Sequence, residues 1–262
     1  MKIYKAYFIF PLLFQIACDY HSKENEKKIK HKTVYVSPIL EHDTANIVKR
    51  PDAPQGKHFP YLEYLFSSYD LVNIARLDST IQIELRYAGI NNFLGRNLYD
   101  GLKNAYFNCE TALKICNAQY FLKDTMPNYS LLILDAARPW HIQKVMWDSL
   151  KMKPEIKYSY LSPPNEASLH NYGCAVDVTI LDLQTGKELD MGTGFDHFGK
   201  LSQLIYEEEF LKTGELSQQA YNNRKLLRSV MQKAKLKPIN SEWWHFSICT
   251  KPEAVMRFKL IR

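Results

Sequence analysis

Several features that define common protein classes are missing from this sequence. None of its five cysteines forms a CxxC pair, which argues against a structural zinc knuckle. No stretch interleaves basic and aromatic residues as nucleic-acid-binding surfaces do, so no nucleic-acid partner is expected. Internal repeats are also absent. With 46% hydrophobic and 24% charged residues, the 262-residue chain nevertheless has the composition of a globular protein.

The apolar stretch near the N-terminus is too short to span a bilayer. Residues 6–17 follow two lysines, but twelve residues fall short of the ~20 that a transmembrane helix needs. They fit the hydrophobic region of a secretory signal peptide, predicted here over residues 1–18. The stretch ends in Ala-Cys, which resembles a bacterial lipobox in which Cys18 would carry the lipid, although Gln15 departs from the usual Leu. An ordinary signal peptide with a chance cysteine is the alternative.

Either interpretation of the N-terminus predicts an exported protein of the periplasm or cell envelope. A lipid on Cys18 would also attach the protein to a bacterial membrane. Residues 19–68 have little periodic pattern and are predicted to be a flexible tether. Within them, His21–Lys32 has five lysines against two glutamates and so carries half of the chain's formal net charge of +6. Such runs are typical of solvated spacers, so the folded domain is predicted over residues 69–262.

Helical and strand patterns follow one another in blocks rather than in a βαβ alternation. We predict helices at residues 107–124 and 218–235, strands at 131–134 and 174–181, and a last strand around Ser241–Ile248. A parallel α/β fold would require the alternation that is missing. The prediction is therefore an α+β fold, a single mixed domain with a central antiparallel sheet flanked by helices.

Three residues of the C-terminal half have the side chains of a catalytic zinc site. His170 precedes a turn at Gly173, and Asp177 lies on the strand that follows. Such a pair is more often unrelated than a metal site, but His245 on a neighbouring strand would complete a His/Asp/His set. Three protein ligands leave a fourth position open for water, which is typical of catalytic zinc. Glu242, three residues before His245, is the natural candidate for a base that takes a proton from this water.

The stretch SEWWHF, residues 241–246, poses a geometric problem. Residues three apart on a regular strand point to opposite faces of the sheet. Glu242 and His245 can therefore serve one site only if the backbone turns or bulges between them. We predict that Glu242 lies at an irregular entry to the strand and His245 within it. Trp243 and Trp244 are expected to hold this offset by packing.

Five separated segments carry further motifs. In chain order they are IELRYAGINNFLGRNLY, LDAARPW, SLHNYGCAVD, LDMGTGFD and NRKLLRSVMQKAKLKPINSEWWHF. They resemble the signature of the zinc D,D-peptidases of the VanX/VanY and Hedgehog-like group, and within it the VanX-like D-alanyl-D-alanine dipeptidases. The resemblance covers roughly residues 70–262 and implies a peptidase domain with one zinc ion per chain, bound on the sheet.

The resemblance also implies roles for individual residues. Zinc would be bound by His170, Asp177 and His245. Glu242 would be the general base for water and then the proton donor to the leaving amine. Arg138 would stabilise the transition state, because a guanidinium is a fixed cation with forked donors. The alternative for Arg138 is a surface arginine at the start of a helix, where the helix dipole is unfavourable to it.

Three further residues are implied to bind the substrate. Asp196 would bind the free ammonium group of a D,D-dipeptide with help from Tyr87, and Ser168 would bind its carboxylate end. A clamp for the ammonium would favour dipeptides, because longer chains have no free amine at that position. Each residue also has a structural alternative: a helix or turn cap for Asp196, an ordinary strand aromatic for Tyr87, and a backbone hydrogen bond within its own loop for Ser168.

The leading hypothesis is hydrolysis of D-alanyl-D-alanine or a close D,D-dipeptide in the bacterial cell envelope. A D,D- or L,D-carboxypeptidase that trims peptidoglycan stem peptides would use the same metal and base. A non-catalytic, zinc-containing, wall-binding lipoprotein is the alternative of another class, but such a module would not need a base at Glu242. Cys174, between two ligands, departs from the family's pattern, and we expect its thiol to face the core. The oligomeric state is not predicted.

Overall fold

The computed structural model describes residues 61–158 and 160–262. The predicted signal peptide at residues 1–18, with Cys18, and residues 19–60 of the predicted tether lie outside the described residues. None of the helices in the described part of the chain has both the length and the apolar character needed to cross a bilayer.

Helices and strands are mixed along the described residues, which confirms the predicted α+β class. The seven α-helices found there are α1 (Tyr61–Ser68), α2 (Cys109–Thr125), α3 (Trp140–Ser149), α4 (Pro154–Lys157), α5 (Glu207–Thr213), α6 (Gln218–Lys233) and α7 (Lys251–Arg257). The eight strands of the same residues are β1 (Val72–Asn73), β2 (Gln82–Ile83), β3 (Tyr106–Phe107), β4 (Tyr129–Asp135), β5 (Ala175–Asp182), β6 (Lys187–Glu188), β7 (Lys237–Pro238) and β8 (His245–Ser247).

The main sheet has the strand order β2-β4-β5-β8-β7, and β6 pairs with the end of β5. The pairs β4–β5, β5–β6, β5–β8 and β7–β8 are antiparallel. The pair β2–β4 is parallel, which differs from a purely antiparallel sheet. Parallel neighbours need a long crossover connection, and the segment that contains β3 and α2 provides it. Strands β1 and β3 form a separate antiparallel pair.

Strands β4 and β5 form the buried centre of this sheet. Six of the seven residues of β4 and six of the eight residues of β5 are buried. A continuous buried run is expected where both faces of a strand are covered. Helix α2 packs against β4 and α6, and its buried residues include Ala112, Ile115 and Leu122. The ends of these two strands are therefore held by a well-packed core, and they are where the candidate site lies.

The folded part of the chain begins before the predicted boundary at residue 69. Helix α1, which falls in the range predicted to be a tether, buries Leu62 and Phe66 in the core. The ring of Phe66 lies 5.3 Å from the ring of Tyr106. A helix of eight residues is too short to show a clear period and is marginal on its own, so its stability comes from this tertiary packing. The tether prediction is wrong for residues 61–68.

Candidate active site

The three predicted metal ligands meet where β5 and β8 pair. Asp177 and His245 lie opposite each other in the register of these strands, and His170 lies in the 3-10 turn Leu169–Tyr172 that leads into β5. The separations are 3.2 Å from His170 Nε2 to His245 Nδ1, 3.3 Å from His170 Nε2 to Asp177 Oδ1, and 3.0 Å from His245 Nδ1 to Asp177 Oδ1. Ligands at ~2.0–2.1 Å from a tetrahedral zinc ion lie about 3.3 Å from one another. The three donor atoms are thus spaced as the face of such a tetrahedron.

The surroundings of these donors also fit a zinc ion. Nδ1 of His170 lies 2.8 Å from the carbonyl oxygen of Ala136, and since a carbonyl can only accept, this nitrogen donates. Nε2 of His170 is then left with a lone pair directed at the other two ligands, as in oriented metal-binding histidines. Burial disfavours a charge on Asp177, but the imidazoles of His170 and His245 outweigh this and hold its pKa well below the ordinary value. Two imidazole nitrogens and one ionised carboxylate oxygen are a ligand set that zinc prefers.

Local sequence explains why His170 stands where it does. Ser168 is the N-cap of the turn, and its hydroxyl oxygen accepts a hydrogen bond from the backbone N–H of His170 at 3.4 Å. The side chain of Asn171 accepts in return from the backbone N–H of Ser168 at 2.6 Å. Gly173 ends the turn with a φ of 63°, and a Cβ there would lie 3.0 Å from the backbone nitrogen of Asn108. Ser168 therefore makes the backbone hydrogen bond within its own loop that was the alternative to substrate binding. It also lines the cleft.

Glu242 lies in the loop of the antiparallel hairpin β7–β8 and His245 lies in β8. This is the offset between the two residues that was predicted from the sequence. Strand β8 begins only at His245, so Glu242 precedes the regular strand. Its Oε2 lies 3.9 Å from His245 Nδ1. Burial, opposed by the His245 imidazole and reinforced by the carboxylate of Asp177, raises the pKa of Glu242 to about 8. A carboxyl with this proton affinity can both accept and release a proton near neutral pH.

The two tryptophans of this loop pack against the neighbouring segment of the cleft. Trp243 and Trp244 are both buried, and their rings meet edge to face at 5.2 Å. Trp243 Nε1 donates to the hydroxyl of Thr193 at 2.8 Å, and the ring of Trp244 lies 5.5 Å from that of Phe195. Both contacts reach the irregular segment that carries Asp196. The tryptophans therefore join this segment to the hairpin loop.

Arg138 is buried in the segment between β4 and α3, so the alternative of a surface arginine is wrong. Its Nε donates to Asp135 Oδ2 at 3.0 Å, its Nη2 also bonds this oxygen, and its Nη1 donates to Gln143 at 2.8 Å. The other oxygen of Asp135 accepts from the hydroxyl of Tyr99 at 2.5 Å. The guanidinium is thus fixed in the cleft wall. Helix α3 begins after Arg138, with Pro139 as its N-cap.

Asp135, Gln143 and Tyr99 are functional neighbours that sequence reasoning did not assign. A signal for Asp135 was available, because a carboxylate ending a buried strand three residues before an arginine needs a charged partner. Gln143 and Tyr99 gave no comparable signal. Tyr99 lies 36 residues from Asp135 along the chain, and only the fold brings them together.

Asp196 and Tyr87 form a second polar group in the cleft. The hydroxyl of Tyr87 donates to both carboxylate oxygens of Asp196, at 2.9 and 3.0 Å. Tyr87 lies in the 3-10 turn Arg86–Ala88 rather than in a strand. Asp196 has a φ of 60°, an uncommon value for a residue other than glycine, which indicates that its surroundings impose its conformation. Burial, opposed by the Tyr87 hydrogen bond, raises the pKa of Asp196 to about 7.

All eight site residues predicted within the domain line one cleft of about 210 Å³. They are Tyr87, Arg138, Ser168, His170, Asp177, Asp196, Glu242 and His245. Pockets for drug-sized ligands are larger, roughly 300–1,000 Å³, so this cleft suits a small substrate. Aromatic side chains from three loops also line it, with the rings of Phe93 and Tyr160 at 5.2 and 5.0 Å from the ring of Phe198. Sequence reasoning missed these aromatics because loops have no periodic pattern.

Cys174 points away from the ligands. It is fully buried, and its sulfur contacts the side chain of Asn108 at 3.2 Å and the carbonyl oxygen of Tyr172 at 3.3 Å. This confirms the expectation that the thiol faces the core.

Comparisons with known proteins agree with this geometry. A family model described as D-ala-D-ala dipeptidase, of the M15 peptidases, matches residues 67–259. The D-alanyl-D-alanine dipeptidase of Escherichia coli K12 is 30% identical over 180 residues, which cover 68% of this chain and 84% of that protein. Those of Synechocystis and Enterococcus faecalis are 27% and 25% identical, over 51% and 66% of this chain and 65% and 88% of their own. The family model matches well over half of the residues of this chain. The chain therefore belongs to the D-ala-D-ala dipeptidase family of M15 peptidases.

Proposed function

We propose that this protein is a zinc-dependent dipeptidase that hydrolyses D-alanyl-D-alanine, or a close D,D-dipeptide, to free D-amino acids. The observation that carries the proposal is the grouping of Glu242, Arg138 and Asp196 in one cleft with a buried His/Asp/His cluster. The names of the relatives support the same substrate.

One zinc ion per chain would be held at the sheet by His170, Asp177 and His245. When bound, zinc supplies Lewis acidity, which polarises a carbonyl group and acidifies water. The chain's own contribution is to keep the three donors in place before the metal arrives. The hydrogen bond from His170 to Ala136 and the direct pairing of β5 with β8 both serve this purpose.

Glu242 would transfer the protons of the reaction. Its carboxylate takes a proton from the attacking water and later gives one to the leaving amine. Its place beside the ligand His245 allows both transfers from one position. Because Glu242 is largely buried, bulk water competes little for its proton.

Arg138 would stabilise the negative charge that develops on the carbonyl oxygen. Asp135 and Gln143 fix the guanidinium in one orientation, so little reorganisation is needed when the charge forms. Such donors act more strongly in a buried site than in water.

Asp196, Tyr87 and Ser168 would select the substrate. The carboxylate of Asp196 pairs with the free ammonium of the dipeptide, and Tyr87 orients this carboxylate through a bifurcated hydrogen bond to its two oxygens. Ser168 accepts a hydrogen bond at its oxygen from the backbone of His170 and retains its own hydroxyl proton, which it can donate to the substrate carboxylate. The small cleft then fits a molecule with both charged ends close together.

A substrate panel tests this function. D-Ala-D-Ala, L-Ala-D-Glu and a pentapeptide ending in D-Ala-D-Ala are incubated with the purified domain, with and without a chelator. We expect cleavage of D-Ala-D-Ala alone, loss of activity with the chelator, and recovery after zinc is added. Preferred cleavage of the pentapeptide would show a carboxypeptidase instead. No cleavage of any peptide by the zinc-loaded protein would favour a binding module.

We also propose that the protein is exported and attached to a bacterial membrane through Cys18, on the strength of its N-terminal sequence. The full-length protein should then partition into detergent-extractable membranes. Cys18→Ser should move it to the soluble fraction or block its processing without changing the activity of the domain. Membrane attachment that stays unchanged in a variant processed like the wild type would rule out a lipid on Cys18.

A further inference from the structure

One buried arginine anchors the loop that carries Asp196. Arg224, in helix α6, is only 1% exposed. Its Nε donates to the carbonyl oxygen of Met191 at 2.6 Å, and its Nη2 donates to that of Leu201 at 3.0 Å. These two carbonyls lie on either side of Asp196 in the chain. A single guanidinium therefore holds both ends of the loop 191–201.

The same side chain connects this loop to the hairpin that carries Glu242. The guanidinium carbon of Arg224 lies 6.0 Å from the centre of the Trp243 ring. Trp243 is the neighbour of Glu242 in the chain and donates to Thr193, which belongs to the Asp196 loop. Arg224 thus contacts the backbone of the loop that carries Asp196 and the Trp243 ring of the hairpin that carries Glu242, the two segments whose relative position sets the distance between the base and the ammonium site.

The positive charge of Arg224 is balanced by Glu207, which does not line the cleft. Its Nη1 lies 3.4 Å from Glu207 Oε1, and Arg228 donates to the same carboxylate at 3.1 and 2.8 Å. Burial lowers the pKa of Arg224, and the carboxylate of Glu207 counteracts this. Arg228 therefore shares the ion pair of Arg224, and its own hydrogen bonds within the described residues go to Glu207.

The loop needs such an anchor because its conformation is not a relaxed one. Asp196 has a left-handed backbone with a φ of 60°. The surrounding structure must supply the free energy that keeps it there. A guanidinium suits the task, since its forked donors can reach two carbonyls at once, whereas the single ammonium of a lysine is a point charge.

We infer that Arg224 is a positioning residue for substrate recognition: it holds the Asp196 carboxylate where the free ammonium of a dipeptide binds. This inference rests on the proposed dipeptidase function. Arg224 itself does not reach the substrate, and its effect passes through the loop 191–201. It goes beyond the family resemblance, which assigned no role to this residue.

The test compares two phosphinate analogues of the dipeptide, one with the amino group and one without it. Both can bind at the zinc, so the ratio of their inhibition constants measures recognition of the ammonium alone. The zinc-loaded wild type is compared with Arg224→Gln, Arg224→Lys and Asp196→Ala. Arg228→Gln is the matched control, because it removes an arginine from the same ion pair without touching the loop. Zinc content and Tm are measured for every variant.

We expect the wild type and Arg228→Gln to prefer the amino analogue strongly and to similar degrees. Asp196→Ala should lose this preference, and both Arg224 variants should lower it at least tenfold while binding the analogue without an amino group nearly as well. Substrate kinetics should show the same split, with a raised KM and a smaller change in kcat. Arg224→Lys keeps a charge beside Glu207, so it carries the test if Arg224→Gln does not fold.

A purely structural role for Arg224 would give a different result. Its variants would then have a lower Tm and weaker binding of both analogues, with an unchanged ratio, and this outcome would overturn the inference. A wild type that hydrolyses the dipeptide but does not prefer the amino analogue would overturn the ammonium clamp and the inference together. A zinc-loaded wild type without peptidase activity would contradict the proposed function instead.

Discussion

At the scale of single residues, neighbours rather than residue type set the role of each carboxyl group in the cleft. Asp177 lies between two imidazoles, and its pKa is held below the ordinary value. Glu242 has only the His245 imidazole nearby, at 3.9 Å, and Asp196 is hydrogen-bonded to Tyr87; burial outweighs both effects and raises the two pKa values to about 8 and about 7. One carboxyl group is thus kept ionised, as its proposed role as a ligand requires, while the other two can exchange protons near neutral pH.

Glu242→Gln tests the general base. The amide keeps the size of the side chain but cannot accept the proton of water, so we expect turnover of D-Ala-D-Ala to fall ~10²–10⁴-fold. Zinc content should not change, because the three ligands are intact. Glu209→Gln, on the exposed face of α5, is a control that should leave both quantities unaltered. Turnover of Glu242→Gln equal to that of the wild type would exclude the residue as the base.

The pH profile of kcat/KM tests Asp196. Only the ionised carboxylate attracts the substrate ammonium, so kcat/KM should fall as the pH drops through the pKa of this group. Burial raises that pKa to about 7, and the positive charge of a bound zinc ion would lower it towards the ordinary value. We therefore expect kcat/KM to fall on the acid side, in a limb with its midpoint between the ordinary pKa of an aspartate and about 7. Asp196→Asn should reduce kcat/KM near neutral pH and flatten this limb; a limb that persists in the variant would belong to another group, such as Glu242.

At the scale of structural elements, the short turn Leu169–Tyr172 places His170, a proposed metal ligand, next to β5. It carries His170 and is bonded to the segment that follows β4, since Arg138 N donates to the carbonyl oxygen of His170 at 3.0 Å. Asn171 returns the contact by donating to the carbonyl oxygen of Arg138 at 2.7 Å. The same turn therefore positions His170 and Arg138, the proposed metal ligand and the proposed transition-state arginine.

Gly173→Ala should lower the free energy of unfolding by more than the cost of its left-handed backbone conformation alone. A left-handed alanine costs roughly 1–2 kcal/mol of the free energy of unfolding, and here the added Cβ would also press against the backbone of α2's N-cap, at 3.0 Å. Gly186→Ala is the matched control, because it has a similar φ of 68° and no atom within 4 Å of the added Cβ. Denaturation by urea should show the larger loss for Gly173→Ala, which alone should also weaken zinc binding. Equal losses of stability in the two variants would mean that the neighbours of residue 173 move away from the added Cβ at no cost.

At the scale of the whole molecule, zinc would connect parts of the chain that lie far apart. His170 and His245 are 75 residues apart in sequence, and the ligand cluster closes only when β5 pairs with β8. A metal that binds this folded arrangement but not the unfolded chain stabilises the fold, by ~4 kcal/mol when its concentration is 1,000 times Kd.

Removal of zinc should therefore lower the Tm of the domain. For a domain of this size each kcal/mol corresponds to about 2–4 °C, so a fall on the order of 10 °C is expected with a chelator, and added zinc should reverse it. Calorimetry with and without the chelator measures the shift. His245→Ala should have a low Tm that zinc hardly changes. A wild type whose Tm ignores zinc would contradict a site formed by the folded sheet.

The sequence alone was sufficient for the features encoded by local pattern and by residue chemistry. Strands near residues 131–134 and 174–181 and helices near 107–124 and 218–235 were predictable because apolar spacing reflects the burial of each element. The grouping of His170, Asp177, His245 and Glu242 in one cleft, and the offset of Glu242 from the strand of His245, were predictable because few side chains can perform this chemistry and the motifs keep their order. These are properties of short segments, so one chain suffices to recognise them.

Tertiary structure alone decided what depends on contacts between distant segments. The helix at residues 61–68 is stable because Leu62 and Phe66 reach the core, which no local period reveals. Tyr99 holds Asp135, the partner of Arg138, and Arg224 holds both ends of the Asp196 loop, across separations that no spacing rule encodes. A buried polar group must find its partner wherever the fold brings one. The chemistry of the side chains therefore identifies the candidate site residues from the sequence, whereas only the packing of the fold identifies the residues that hold them in place.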